Sequence, residues 1–423
     1  MVFLVSEYAT GFFIPIIILL SLATISSILI SIFKLDFLPT FAVEILIGLI
    51  IAHWFNNLMI DLQFSGIVDG IYVLGLSMMM FLSGYDVDFD IFKEIIADDA
   101  VKPKNRHINI FRTALVIFVI TYLISVIISI GINYFFANNK VLGIILLSIV
   151  FASTFAAMVV PILHNEGLLQ TVIGKIIAAI ANLSEIVSIG FLTVLMIVLD
   201  VKRKYAIIFL LLAIFIVLYR IVKRYKIGKF FDKITEGIDH LVTRVIFVLI
   251  LFLVLLSDLA GGEYIIGAFF AGMFVRHTRF SEEVVVSLSR IIYGVFAPLF
   301  FILVGARIDF LVFIQETSNI WLVLILFFAY FIVEIPILLL LKWYNLNTII
   351  PSMILISCTV IVPIAAGHIG LSHNLFSEAF AQAMILASIL MCILGTILFK
   401  IEFPFGNYKK KYREIHHNHE QNK

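Results

Sequence analysis

The run Thr171–Leu199, TVIGKIIAAIANLSEIVSIGFLTVLMIVL, is long and apolar and carries one acidic residue, Glu185, at its centre. An ionisable group at bilayer mid-depth costs at least ~2.5 kcal/mol on insertion scales, so its usual reason is function. The chemistry open to a carboxylate there is to hold a proton or a hard cation, which prefers oxygen ligands. On a helix, Asn182, Glu185 and Ser188 fall at i−3, i and i+3 and share a face. Gly174, Ala178 and Ala181 lie close to that stripe, and small residues let a neighbouring helix approach. The structural alternative is a carboxyl held neutral by a hydrogen bond to a serine or a carbonyl. A second acid, Glu334 in FFAYFIVEIPILLLLKW, stands just before Pro336, which should kink its helix. It is either a second carboxylate facing the same cavity or a group that satisfies the kink.

The elements that must carry these residues follow from composition. The chain has 423 residues, 62% of them hydrophobic and 13% charged, with a mean hydropathy of +1.15. A soluble domain of this size has too little interior to hide that much apolar surface, so the chain is a polytopic membrane protein. Its apolar runs have helical length rather than the ten-residue alternation of membrane strands. The expected fold is all-α, with about thirteen transmembrane helices. They lie near 10–33, 38–54, 66–82, 109–136, 142–163, 171–199, 204–222, 242–257, 262–275, 291–304, 319–343, 348–366 and 378–400. Those near 262–275 and 291–304 are short, and must tilt or extend into their flanks. Cys358 and Cys392 both fall inside spans, which argues against a disulfide framework. The first apolar run lacks a basic n-region and an A-x-A site, so it reads as a retained span. A net charge of +1 gives no sign of a nucleic-acid partner.

Lys and Arg set the expected orientation. Lys93, Lys102, Lys104 and Arg106 share a loop, as do Lys223, Arg224, Lys226, Lys229 and Lys233. Arg276, Arg279 and Arg290 mark a third loop, and Lys409, Lys410, Lys411 and Arg413 the tail. All lie on one side if the span count holds, which puts the N-terminus outside and the C-terminus in the cytoplasm. Lys202, Arg203 and Lys204 break the rule. The tail histidines His416, His417 and His419 read as a solvated tail rather than a metal site. Arg307 and Asp309 read as a local pair at a helix end.

The two halves share an interruption. Val159-Val160-Pro161-Ile162 follows Ser153 and Thr154, and Ile361-Val362-Pro363-Ile364 follows Ser357 and Thr359. Proline removes a helix hydrogen bond, and nearby hydroxyls can satisfy the freed carbonyl. Matching Pro-interrupted spans in two halves point to a transporter of inverted repeats, with its site at the broken helices.

Four further stretches give the chain a resemblance. Phe81-Leu82-Ser83-Gly84-Tyr85-Asp86-Val87-Asp88-Phe89 follows the third span, and Gly167-Leu168-Leu169-Gln170-Thr171 with Gly174-Lys175 leads into the helix of Glu185. Ile266-Gly267-Ala268-Phe269-Phe270-Ala271-Gly272 and the block Pro298-Leu299-Phe300-Phe301-Ile302-Leu303-Val304-Gly305-Ala306-Arg307-Ile308-Asp309 come later. In order and spacing these resemble the monovalent cation:proton antiporter-2 family, which includes sodium/proton and potassium-efflux exchangers. The resemblance implies an exchanger domain over 1–407, with ion-binding helices near 109–199 and 319–400, the other helices as scaffold and dimer side, and a short basic tail at 408–423. It implies inverted repeats with two discontinuous crossing helices at Pro161 and Pro363, and a homodimer. Ser184-Glu185 stands where the family carries its acidic pair, often Asp-Asp or Asn-Asp. Glu185 then takes the place of the essential carboxylate. Where similar proteins often hold Lys or Arg, this chain offers Glu334, with Lys342 about two turns later.

The expected activity is secondary transport without enzyme chemistry or cofactor: a monovalent cation, sodium with lithium and potassium as the other candidates, exchanged for H+. In a partly dry cavity the charged carboxylate is disfavoured, so Glu185 can take a proton or a dehydrated cation, but not both. Ser153, Thr154, Asn182 and Ser184, with carbonyls near Thr359 and the two prolines, can add oxygens. One exchanging carboxylate predicts one cation per proton; a second proton from Glu334 would make the cycle carry net charge. A potassium channel and a sodium-coupled organic-anion symporter remain the other classes.

Overall fold

In hydrocarbon every backbone polar group must find a partner inside the structure, and a helix provides one within the segment itself. The structure, a computed structural model, describes residues 2–33, 39–61, 65–86, 109–136, 141–169, 171–199, 220, 241–259, 264–278, 282–308 and 317–403. Every regular element among them is a helix. In order these are α1 (Val2–Ile32), α2 (Thr40–Asp61), α3 (Ser65–Asp86), α4 (Ile110–Phe136), α5 (Val141–Ala152), α6 (Ala156–Asn165) and α7 (Val172–Leu199). Then come α8 (Leu241–Leu259), α9 (Tyr264–Thr278), α10 (Glu282–Ile291), α11 (Ala297–Ala306) and α12 (Thr317–Val333). A 3₁₀ segment (Ile335–Lys342), α13 (Leu346–Ile356), α14 (Ile361–Ser372) and α15 (Glu378–Glu402) complete the set.

Among the described residues eight helices are long and apolar enough to cross a membrane, or nine if the bent pair α13 and α14 counts as one span. This is fewer than the thirteen expected, for local reasons. The run near 204–222 lies, apart from Arg220, outside the described residues. The run near 142–163 divides into α5 and α6, each too short alone. The short run near 291–304 does extend into its flank: a π-turn, Ile292–Phe296, joins α10 to α11 and makes one span, Val284–Ala306. The basic loops at 93–106 and 223–233, Lys202–Lys204, and the tail also lie outside the described residues.

The chain divides into two compact units, Met1–Val87 with Thr193–Thr317, and Asp88–Leu192 with Ser318–Lys423. In the first, α3 packs along α9 and α2 along α11. Both pairs approach through reciprocal glycines. A Cβ on Gly272 would stand 2.0 Å from the Phe81 carbonyl oxygen, and one on Gly84 2.1 Å from that of Phe269. A Cβ on Gly305 would stand 2.1 Å from the Ile45 oxygen, and one on Gly48 2.0 Å from that of Ile302. Without lipid-phase hydrophobic drive, close backbone packing is what holds such helices together. Arg307, expected to pair with Asp309, pairs with Asp69, 238 residues away, and lies 3.7 Å above the Tyr72 ring. A helix end brings Arg307 against α3, whereas Asp309 lies outside the described residues.

An apolar cluster runs through the second unit. Ile110, Ala114 and Ile117 of α4 belong to it with Ile173, Ile176, Ile177 and Ile180 of α7 and Ile349, Met353 and Ile356 of α13. Between α6 and α7 the chain turns at Gly167, whose φ of +70° is a conformation only glycine takes without strain. The Thr171 hydroxyl then accepts the Gly174 N–H and caps the start of α7. Gly167, Thr171 and Gly174 thus set the entry of the helix that carries Glu185.

Candidate ion site

All the site residues expected from the sequence lie in the second unit, and several meet at two helix breaks. The α5–α6 break covers 153–155 and the α13–α14 break 357–360. The breaks are joined directly: the Phe155 N–H donates to the Cys358 carbonyl at 2.8 Å. The Ser153 hydroxyl donates to the Val150 carbonyl at 2.7 Å, which leaves the Thr359 hydroxyl to donate to Ser153 Oγ at 2.8 Å. The Cys392 thiol of α15 donates to the Thr359 carbonyl at 3.4 Å. Both cysteines are buried free thiols.

The prolines do not mark the breaks themselves. Pro161 sits exposed inside α6, downstream of the break. Pro363 is buried in the first turn of α14, where a missing N–H leaves no intrahelical bond unmade. Its fixed φ favours starting the second half-helix.

Glu185, 3% exposed, reaches from α7 to the first break. Its Oε2 accepts the backbone N–H of Ala156 at 2.9 Å. Ala156 is the first residue of α6, so the carboxylate meets the positive end of a helix dipole and an N–H with no intrahelical acceptor. Three residues on, Ser188 meets the Tyr122 hydroxyl of α4 at 2.9 Å and faces the Ile149 carbonyl of α5 at 3.4 Å. The stripe of α7 foreseen from its spacing is therefore the face packed on α4, α5 and α6. Ser184 and Thr154 are each 1% exposed, and their hydroxyls have no hydrogen-bond partner among the described residues. Asn182, 4% exposed, donates its amide to the Ala178 carbonyl of its own helix at 2.9 Å.

Glu334, 1% exposed, lies in the turn between α12 and the 3₁₀ segment, with Pro336 at that segment's start. Among the described residues neither carboxyl oxygen has a partner at full hydrogen-bond geometry, and the Thr121 side chain of α4 lies beside it, close enough to act on the carboxyl. Burying a polar group without a partner costs ~1–3 kcal/mol, and more for a charge. Lys342 is exposed at the far end of the same segment. Two residues escaped the sequence reading, Tyr122 and Thr121. The available signal was a tyrosine within a lipid-length run, because a buried tyrosine hydroxyl needs a partner.

The sodium/hydrogen exchanger transmembrane family matches residues 17–401. The chain belongs to that family. It is 30% identical over 387 residues to a putative Na(+)/H(+) antiporter, YjbQ, of Bacillus subtilis, covering 91% of this chain and 62% of that protein. It thus spans about 62% of the Bacillus protein's length. It is 28% identical over 297 residues to a probable Na(+)/H(+) antiporter 3 of Methanocaldococcus jannaschii, covering 68% of this chain and 70% of that one. Among solved structures it is similar to the sodium proton antiporter MjNhaP1 of the same archaeon, with a TM-score of 0.59 and 14% identity over 92% of this chain and 96% of that one. The exchanger family membership and this shared fold make the protein a multi-pass, all-α membrane protein.

Proposed function

We propose that the protein exchanges a monovalent cation for protons by alternating access, with Glu185 as the shared ligand. Sodium is the first candidate, and lithium and potassium are the others. The observation that carries this reading is a buried carboxylate bonded to the first N–H of a half-helix, with the unpartnered hydroxyls of Thr154 and Ser184 close in sequence to that contact. Two hydroxyls and a carboxylate are oxygen donors suited to a hard cation. A protonated carboxyl gives up one ligating oxygen and the charge, so proton and cation compete for one place. The names of the Bacillus and Methanocaldococcus relatives support the same exchange.

The finer parts of the reading rest on the motif resemblance. They are placement among the monovalent cation:proton antiporter-2 proteins, ion-binding helices near 109–199 and 319–400, and a homodimer. The orientation, N-terminus outside and C-terminus cytoplasmic, rests on the distribution of lysine and arginine. In the same scheme Ser153, Thr359 and the backbone near Pro161 and Pro363 shape the crossing, and Asn182 braces the helix beside it.

The test is cation-induced dequenching of a pH-sensitive dye in everted vesicles, titrated with sodium, lithium and potassium in turn. Glu185→Gln inserts and folds but shows no cation-dependent proton movement. Proton flux retained in that variant overturns the reading.

A further inference from the structure

The buried face of α4 changes character halfway along. Toward its start it is apolar, with Ile110, Ala114, Ile117 and Phe118. From there to its end it carries Thr121, Ser125, Ser129 and Asn133, each 1% exposed or less. The four recur at intervals of one helical turn, which puts successive side chains ~5–6 Å apart. That interval is about two hydrogen bonds end to end, the span a single bridging water would cover at each step.

Hydroxyls inside or at the end of a helix commonly bond back to their own helix, and several in this unit do. Ser148, Ser153, Ser352 and Ser357 all donate to a carbonyl three or four residues earlier. Ser125 donates to the Tyr122 carbonyl in the same way. Thr121 and Ser129, on either side of Ser125, have no such bond. Their hydroxyls are buried and left to some other partner.

The first rung lies beside Glu334, whose two carboxyl oxygens are likewise unpartnered. The 3₁₀ segment after Glu334 packs against α4. The last rung, Asn133, lies within a turn of the end of α4, against Gly143 at the start of α5. A Cβ on Gly143 would stand 2.8 Å from Asn133 Oδ1. From Thr121 to Asn133 is ~18 Å at 1.5 Å per residue. Half a hydrocarbon core is ~15 Å. The rungs therefore bridge the distance from mid-membrane to one face.

We propose that Thr121, Ser125, Ser129 and Asn133 form a proton path joining Glu334 to the aqueous phase at the α4–α5 end, and that Glu334 takes up and releases a proton through it. The inference rests on the reading of the protein as a proton-coupled exchanger, but its site is separate from Glu185. The path moves a proton only: at each hydroxyl one O–H bond forms as another breaks, and the hydroxyl then turns back. Ser125 gives up its bond to the Tyr122 carbonyl to take part, while the Asn133 amide orients the exit without itself carrying the proton.

The test is infrared spectroscopy of the full-length protein in proteoliposomes, following the carboxylic acid C=O band as external H2O is replaced by D2O. It is run in Glu185→Gln, so that a band lost on adding Glu334→Gln belongs to Glu334. Ser129→Val and Ser129→Thr have the same shape and differ only in the hydroxyl. The expected result is that Val slows deuteration of the Glu334 band about tenfold and Thr restores it. Thr121→Val, the same size as the residue it replaces, gives the same slowing should either Ser129 variant fold poorly. Equal rates in Ser129→Val and Ser129→Thr, or no Glu334 band at acidic or alkaline pH, overturn the proposal. Transport by Glu185→Gln alone is a separate result and bears only on the exchange at Glu185.

Discussion

Glu185 Oε2 lies 2.9 Å from the Ala156 nitrogen, so the side chain of one helix takes the first free N–H of another. The bond has no intrahelical competitor, and both partners are buried. It fixes the carboxylate at the break instead of leaving it to wander along the face of α7.

Glu185→Asp keeps the charge but withdraws it by one methylene. A hydrogen bond to a charged group is worth ~1.5–3 kcal/mol, equivalent to roughly ten- to hundredfold in affinity. The apparent KM for the cation should rise by about that factor while exchange persists. An unchanged KM in proteoliposomes would show that the Ala156 contact does not shape the cation site.

A second proton at Glu334 has an electrical consequence. One cation exchanged for two protons moves net charge, so wild-type transport should respond to a clamped membrane potential. In Glu334→Gln only Glu185 exchanges, the count becomes one for one, and voltage dependence should vanish. Voltage-independent wild-type transport would exclude a proton carried by Glu334 through the cycle.

Gly272→Ala places a methyl 2.0 Å from a backbone oxygen that has no rotamer to escape into. Overpacking of this kind costs ~1–3 kcal/mol. The variant should unfold at lower temperature in detergent than wild type. Gly190→Ala, whose added methyl meets nothing within 4 Å, is the control and should not. Equal unfolding temperatures for the two would mean that α3 and α9 can part without penalty.

Arg307→Ala should do little. The side chains of Arg307 and Asp69 are 38% and 66% exposed, and such pairs contribute ~0–1 kcal/mol. Stacking on Tyr72 adds ~0.5–1 kcal/mol at an exposed site. A small fall in unfolding temperature with transport retained is the expected outcome, and a loss of transport would assign Arg307 a role in the cycle.

Much of the site was legible because charge inside a lipid-length run stands out against its surroundings. Glu185, Glu334 and the oxygen-bearing stripe of α7 could be found that way. Ala156 could not, since a backbone donor in an apolar stretch has no side-chain signature. Pro161 and Pro363 pointed to the correct spans but the wrong residues, because a helix can absorb proline in its first turn or on an exposed face. Span boundaries are local in the same way. A π-turn lengthened one span, and breaks divided others, where hydropathy sees only a continuous apolar run. Thr121, Ser125, Ser129 and Asn133 were visible as letters, but a hydroxyl that bonds its own helix and one that does not are spelled alike.

The glycines of α2, α3, α9 and α11 have a bearing on kinship. Gly84, Gly272 and Gly305 sit within the motif blocks that make the family recognisable, and their task is to let backbones touch. None of them belongs to the unit holding Glu185. Gly167 and Gly174, in the remaining motif block, enter the unit that carries the proposed ion site. The motifs therefore lie in both units, but most of the close backbone contacts lie away from Glu185. On the proposed reading, substitution at 184, 185 or 334 would alter the transported ion while leaving the glycine contacts between α2, α3, α9 and α11 intact.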